Sequence, residues 1–151
     1  MAQVRFKVRA VERKDFQSWL ELRKNLWDEL TDEEHKEEML QIYHNPETQL
    51  VLIAELETEE VVGFLEASIR PFAEDCLTDN VGYLEGWYVK PEYRRHGIGR
   101  ALVETAERWA KNMGCEEMAS DSEIGNELSI TVHAKLGYEE TSRLVHWRKE
   151  L

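Results

Sequence analysis

The chain has 151 residues, 31 of them acidic and 19 basic, for a formal charge of −12. That length suits a single domain over residues 1–151 with a real core, and that charge argues against nucleic acid as a partner and favours a cationic small molecule. No stretch approaches the ~20 apolar residues that span a membrane, no basic segment leads into an N-terminal apolar run, and Cys76 and Cys115 form no metal-ligand spacing, so a cytoplasmic protein with reduced thiols and no metal is expected.

Val4 to Val8 alternates apolar with basic residues, as a half-buried first strand does. Asp15 to Leu30 places Phe16, Trp19, Leu20, Arg23, Leu26, Trp27 and Leu30 near helical spacing. Thr31-Asp32-Glu33-Glu34 is a capping box, so a second helix starts at Asp32 and runs to about His44, closed by Asn45-Pro46. Gln49 to Glu57 and Val61 to Arg70 read as a hairpin around Thr58-Glu59-Glu60. A polar loop, Pro71 to Asn80, carries Phe72 and Cys76 into a fourth strand, Val81 to Val89. Pro91 cannot donate to a ladder, so that strand ends near Lys90. Gly97 to Met113 is a long amphipathic helix ended by Gly114. Glu116 to Ser120 is a fifth strand, Asn126 to Leu136 a fourth helix, and Tyr138 to Thr141 and Leu144 to Lys149 two last strands around Ser142-Arg143. The order is α+β with a mixed sheet.

The stretch between the fourth strand and the long helix carries the chemistry. Gly97 and Gly99 let the backbone approach a ligand without Cβ clashes, at a helix N-terminus whose free amides and dipole favour an anion. Arg94, Arg95, His96 and Arg100 surround it. The loop has neither the Gly-x-Gly-x-x-Gly of dinucleotide sites nor the Gly-Lys-Ser/Thr of nucleoside triphosphate sites. It reads Arg94-x-x-Gly97-x-Gly99, which resembles the pyrophosphate loop of the GNAT superfamily of acetyl-CoA-dependent N-acetyltransferases. The element order is also the GNAT order from end to end. A Gly-containing turn with a solvated basic face is the plainer alternative.

Acetyl transfer needs a grip on the pyrophosphate, donors for the thioester oxygen, an amine in line and a place for the amine proton. Residues Arg95 to Arg100, Ile98 included, can supply the first. The GNAT resemblance implies a bulge in the fourth strand, which Gly86 fits, with the backbone of Trp87, Tyr88 and Val89 facing acetyl-CoA. An alkylammonium is mostly protonated at neutral pH, so a nearby carboxylate is needed to hold it and take its proton. Glu85 stands inside an apolar, aromatic strand, where a charge is costly without a task or a partner; it is either that carboxylate or an outward-facing residue of an exposed sheet face. Alternation puts Glu85 on one face with Val81, Tyr83, Trp87 and Val89. Asp121, at the C-terminal end of the fifth strand, is a second candidate or an ordinary turn residue. Asn126 can cap the fourth helix.

Finer resemblance comes from Leu22-Arg23-Lys24-Asn25-Leu26-Trp27, Ala67-Ser68-Ile69-Arg70, Leu84-Glu85-Gly86, Glu117-Met118-Ala119-Ser120-Asp121, and Val132-His133 with Leu136-Gly137-Tyr138-Glu139-Glu140-Thr141. These strings, in order and spacing, look like the aminoglycoside 6'-N-acetyltransferases. The resemblance implies that Trp27 lines the aminoglycoside pocket, although its helical spacing fits a core residue as well. It implies that Glu85 and Asp121 hold substrate amines, that Asn126 touches the cofactor, that Phe72 reaches a partner subunit's site, and that the protein is a homodimer. His133 stands where many GNAT enzymes carry a Tyr acid, and Ser142 where some relatives carry a substrate-facing Glu. A polyamine or a protein amine as acceptor, or a CoA-binding module without turnover, are the alternatives.

Overall fold

A computed structural model describes residues 3–151. The chain falls into two compact units, one ending at Ser120 and one spanning Asp121–Leu151. The first holds strands β1 (Phe6–Ala10), β2 (Gln49–Leu56), β3 (Val61–Arg70), β4 (Val81–Val89) and β5 (Met118–Ser120), with helices α1 (Phe16–Leu26), α2 (Asp32–Tyr43) and α3 (Ile98–Asn112). The second holds α4 (Glu127–Lys135). The sheet order is β1-β2-β3-β4-β5; the first four strands are antiparallel, and β5 runs parallel to β4. This is the expected α+β architecture with a mixed sheet.

Local chemistry sets the helix ends. Thr31 accepts from the Glu34 amide and Glu34 reaches back to the Thr31 amide, closing the anticipated capping box. The apolar stripe of α1 buries Trp19, Leu20 and Leu22 against Met39 of α2 and Val51, Ile53 and Phe64 of the sheet. Each such side chain contributes about 1.5–3 kcal/mol by leaving water. Leu102, Val103, Ala106 and Ala110 form the corresponding buried stripe of α3.

The fifth strand starts at Met118 rather than Glu116, and three further departures from the sequence reading have a physical reason. The first strand sits two residues later than Val4 to Val8, because Arg9 ties it in place: its guanidinium donates to Glu55 of β2 at 2.6 Å and to Asp15 at 2.7 and 2.9 Å. The first helix stops at Leu26 rather than Leu30. Trp27 leaves helical geometry at φ −121°, ψ 85°, and its carbonyl is taken by His35 of α2 at 3.0 Å. The last two strands are not formed: residues 138–151 carry no regular structure. Apolar alternation alone does not make a strand. A lone two-stranded ribbon is marginal in water, and Ser142-Arg143 lacks the Asn-Gly chemistry of a tight hairpin. Leu144, Val145, Trp147 and Leu151 are left exposed.

The Arg9 cluster carries a pH prediction. Hydrogen bonds from Arg9 hold the Asp15 carboxyl below its ordinary value, and they do the same for Glu55. Carboxyls depressed by folding stabilise the native state above their unfolded values near ~4, and that contribution is lost as pH falls through the folded ones. Asp15→Asn should therefore cost about 2 kcal/mol at pH 7 and much less near pH 2. Urea midpoints at the two pH values check this; an equal loss at both would reject it.

Candidate functional site

The site grows from one extra residue in β4. Glu66 pairs with Gly86 and Ala67 with Leu84, so Glu85 has no partner of its own on β3. It is a β-bulge, and it shifts the phase of everything after it. Ahead of the bulge, the Gly82 amide faces β5, donating to Glu117 O at 3.1 Å. Past it, the Lys90 amide faces β3, donating to Val62 O at 2.8 Å. By alternation Trp87 and Val89 then turn their amides away from β3. Among the described residues β5 pairs with Gly82 to Leu84, so these two amides lie past the β5 pairing. Tyr88 directs its own amide toward β3 instead.

The bulge also corrects the face assignment. Ser68 pairs with Tyr83 and Glu66 with Gly86, so Tyr83, Glu85 and Gly86 share the face covered by α1. Trp87 pairs with Leu65 and lies on the opposite face, under Gly99 of α3. Glu85 thus keeps the company of Tyr83, as alternation predicted, and loses that of Trp87 and Val89.

Glu85 is held from one side. Its Oε1 accepts from Ser68 Oγ at 2.8 Å, Arg70 Nε at 3.0 Å and Arg70 Nη2 at 2.8 Å. Among the described residues its Oε2 accepts from Arg70 Nη2 alone, at 2.7 Å. The Glu85 side chain is 29% exposed, so a ligand can reach it. The Arg70 guanidinium lies 3.5 Å from the centre of the Tyr83 ring. Neither Ser68 nor Arg70 was singled out from the sequence. They stand in the Ala67-Ser68-Ile69-Arg70 string that carries part of the resemblance, with no role assigned there, and their spacing, two apart on a strand, puts them on one face.

Beside Glu85, Trp27 lies directly on Gly86. A Cβ at Gly86 would come within 2.5 Å of Trp27 Cζ2. The glycine therefore serves a close approach as well as the bulge. Beneath Trp27 is a buried charge network. Arg23 donates from Nη1 to both Glu66 oxygens at 2.7 and 2.6 Å, from Nε to His35 Nδ1 at 3.1 Å, and from Nη2 to Glu38. Trp19 Nε1 donates to Glu66 at 2.8 Å. Because Arg23 donates to Nδ1, the His35 proton sits on Nε2 and is given to the Trp27 carbonyl. Trp27, half-buried, thus sits at the edge of the core with its ring against Gly86.

After β4 the chain turns through Pro91–Tyr93 into the basic loop. Arg94 folds back, donating from Nε to the Val89 carbonyl at 2.8 Å. Arg95 and Gly97 both adopt left-handed backbone, at φ 67° and 83°. His96 is exposed between them, Ile98 anchors the turn in the core, and Arg100 pairs with Glu104 at 3.6 Å. The first amides of α3 follow, unpaired within the helix as at any helix start. Gly99 is informative because the protein alone does not require it. Its φ is ordinary, and an added Cβ would meet nothing closer than 3.7 Å. Alanine there should leave the Tm unchanged or slightly raised, with a propensity gain of about 1 kcal/mol, while acetyl-CoA binds on the order of tenfold more weakly. Calorimetry beside a thermal melt tests the pair; retained affinity would count against close approach of a ligand at Gly99.

The remaining candidates lie elsewhere. Phe72 is 71% exposed on the loop after β3. In the second unit Asp121 is exposed immediately after β5, and Asn126 caps α4 by accepting from the Ser129 amide at 3.1 Å. His133 places Nδ1 2.7 Å from the Ser129 carbonyl, to which it donates.

The family model for the acetyltransferase (GNAT) family matches residues 16–138. The chain belongs to the GNAT family. Among its relatives are the aminoglycoside N(6')-acetyltransferase type 1 of Klebsiella aerogenes, 44% identical over 95% of this chain and 96% of that protein, and its namesake from Acinetobacter baumannii, 41% identical over 88% and 90%. Among solved GNAT structures, AAC(6')-Iy in complex with the bisubstrate analogue CoA-S-monomethyl-acetylneamine matches with a TM-score of 0.91 at 34% identity, covering 97% of this chain and 99% of that one. The aminoglycoside 6'-N-acetyltransferase AAC(6')-Ih from Acinetobacter baumannii matches with a TM-score of 0.90 at 36% identity, covering 97% and 99%.

Proposed function

We propose that this protein is an aminoglycoside 6'-N-acetyltransferase, moving acetyl from acetyl-CoA to the 6'-amine of aminoglycoside antibiotics and so conferring resistance to them. The observation that carries the reading is the near full-length match to a chain whose structure holds CoA joined to acetylneamine. The residues of this chain fit the task. The amides of Arg95 to Arg100, with the basic side chains around them, suit a pyrophosphate; Arg94 steadies the loop through Val89. The amides of Trp87 and Val89, turned away from β3 beyond the β5 pairing, suit the pantetheine arm and the thioester oxygen. Tyr88 supports that strand from the sheet; in the second unit, Asn126 is by the family resemblance a candidate cofactor contact. In the first unit Glu85 receives the substrate ammonium, and Trp27 and Phe72 offer sugar-packing surfaces; Asp121, in the second unit, is by the family resemblance a separate candidate carboxylate for a substrate amine.

The step itself balances simply. The ammonium gives one proton to a carboxylate, directly or through water. The freed nitrogen lone pair attacks the thioester carbonyl, the C–N bond forms and the C–S bond breaks. The second amine proton leaves and the departing thiolate takes one up.

The reading extends to a homodimer, supported by the exposed Leu144, Val145 and Trp147 on a segment without structure of its own. It treats residues 1–151 as one catalytic domain, supported by a family match that runs across position 120. It places the enzyme in the cytoplasm, consistent with two free cysteines and no described helix long and apolar enough to cross a membrane.

A thiol-release assay tests the function. CoA should appear with acetyl-CoA and kanamycin and not with spermidine. Release with spermidine alone would favour a polyamine enzyme, and binding of CoA without release under any amine would favour a non-catalytic module.

A further inference from the structure

Glu85 is the carboxylate of the proposed acceptor site, yet it already has a cation. Arg70, the last residue of β3, donates three of its four hydrogen bonds. Two roles are open to such an arginine. It can compete with the substrate ammonium and be displaced, or it can fix the carboxylate and remain.

The geometry favours the second. Arg70 approaches with Nε and Nη2 along one edge of its guanidinium, so the plane of the fork sets the plane of the carboxylate. The guanidinium face is backed by the Tyr83 ring at 3.5 Å, and Ser68 adds a donor to the same oxygen. Displacing Arg70 would break the three bonds and the stacking together. The donors are also distributed unevenly. Oε1 receives three and Oε2 one, so the acceptor capacity that remains is on Oε2.

We infer that Arg70 is a positioning residue for acceptor binding: backed by Tyr83 and helped by Ser68, it pins Oε1 of Glu85 and turns Oε2 toward the ammonium of a cationic sugar. This rests on the reading of Glu85 as an acceptor-site carboxylate. It is confined to binding orientation, and the acetyl-CoA contacts do not pass through it.

The test is a double-mutant cycle in the full-length enzyme with kanamycin as the varied substrate. Arg70→Gln should raise the KM for kanamycin about tenfold with kcat changed less than threefold, and leave acetyl-CoA affinity at the wild-type value. Arg70→Lys should recover only part, because an ammonium can neither fork nor stack as a guanidinium does. Adding Arg70→Gln to Glu85→Gln should change nothing further, since a residue that acts through Glu85 has no effect once that carboxylate is gone. Thermal melts of each variant separate these readouts from loss of fold. A lower KM in Arg70→Gln would make Arg70 a competitor and overturn the inference, as would an effect that adds in full to Glu85→Gln. If Glu85→Gln is impaired and Arg70→Gln is not, the inference falls and the acceptor site stands. If Glu85→Gln itself keeps a wild-type KM, the acceptor-site reading falls, and the inference with it.

Discussion

Glu85→Gln should lower kcat/KM for an aminoglycoside on the order of a hundredfold, about 2.7 kcal/mol of transition-state stabilisation, with acetyl-CoA affinity retained. The size follows from what is lost. A hydrogen bond between an ammonium and a carboxylate contributes about 1.5–3 kcal/mol, and the neutral amide forfeits the charge attraction as well. The substitution has a second consequence at this site. Arg70 donates to both carboxylate oxygens, so an amide nitrogen at either position meets a guanidinium N–H. The side chain must turn or Arg70 must withdraw, and either response spoils the direction of Oε2. The effect should depend on substrate charge, growing with the number of ammonium groups and weakening as salt rises. A loss that is equal for all amines, or one that comes with weaker acetyl-CoA binding, would mean that Glu85 supports the fold of the bulge rather than the acceptor.

The parts of this site that were legible in the sequence are those built from neighbours in the chain. Gly97-x-Gly99 at the head of an amphipathic helix, the strand before it and the glycine beside a charged residue in that strand are all local patterns. They located the basic loop, the bulge and Glu85. What was hidden depends on which residues meet across the sheet. Arg70 reaches Glu85 only because β3 and β4 pair in one particular register, and Glu66 meets Arg23 across 43 positions of sequence. Arg23 was visible as a member of the apolar stripe of α1, but its presence there is explained only by the carboxylate beneath it. The bulge itself defeated alternation. A period of two extrapolated through Glu85 put Trp87 on the wrong face, although the bulge had been anticipated, because one unpaired residue inverts the phase of all those that follow. The last two strands failed for a different reason. Leu144 to Lys149 has the composition of a strand, but composition does not supply a ladder partner.

Arg23→Met should destabilise the protein by about 3–5 kcal/mol, because it removes one member of a buried ion pair and abandons the other. Methionine fills much of the volume, so the loss is electrostatic rather than a cavity. Glu66, 4% exposed, would retain only Trp19 as a donor, and His35 Nδ1 would lose its partner. Burial already pushes the Glu66 carboxyl above its ordinary value, against the opposing pull of Arg23. Without Arg23 that upward push is opposed only by the Trp19 hydrogen bond, and Glu66 takes a proton in the folded state. A carboxyl raised by folding favours the native state below its unfolded value and loses that contribution as pH rises through the folded one. The variant should therefore be less destabilised at pH 5 than at pH 7.5, and Glu66→Gln should restore part of the loss in the double variant. Urea midpoints for the four proteins of the cycle, each at both pH values, provide the measurement. Additive losses that ignore pH would show that Arg23 matters for packing alone. Recovery in the double variant would show that the network beneath Trp27 is tolerated only as a complete set of partners.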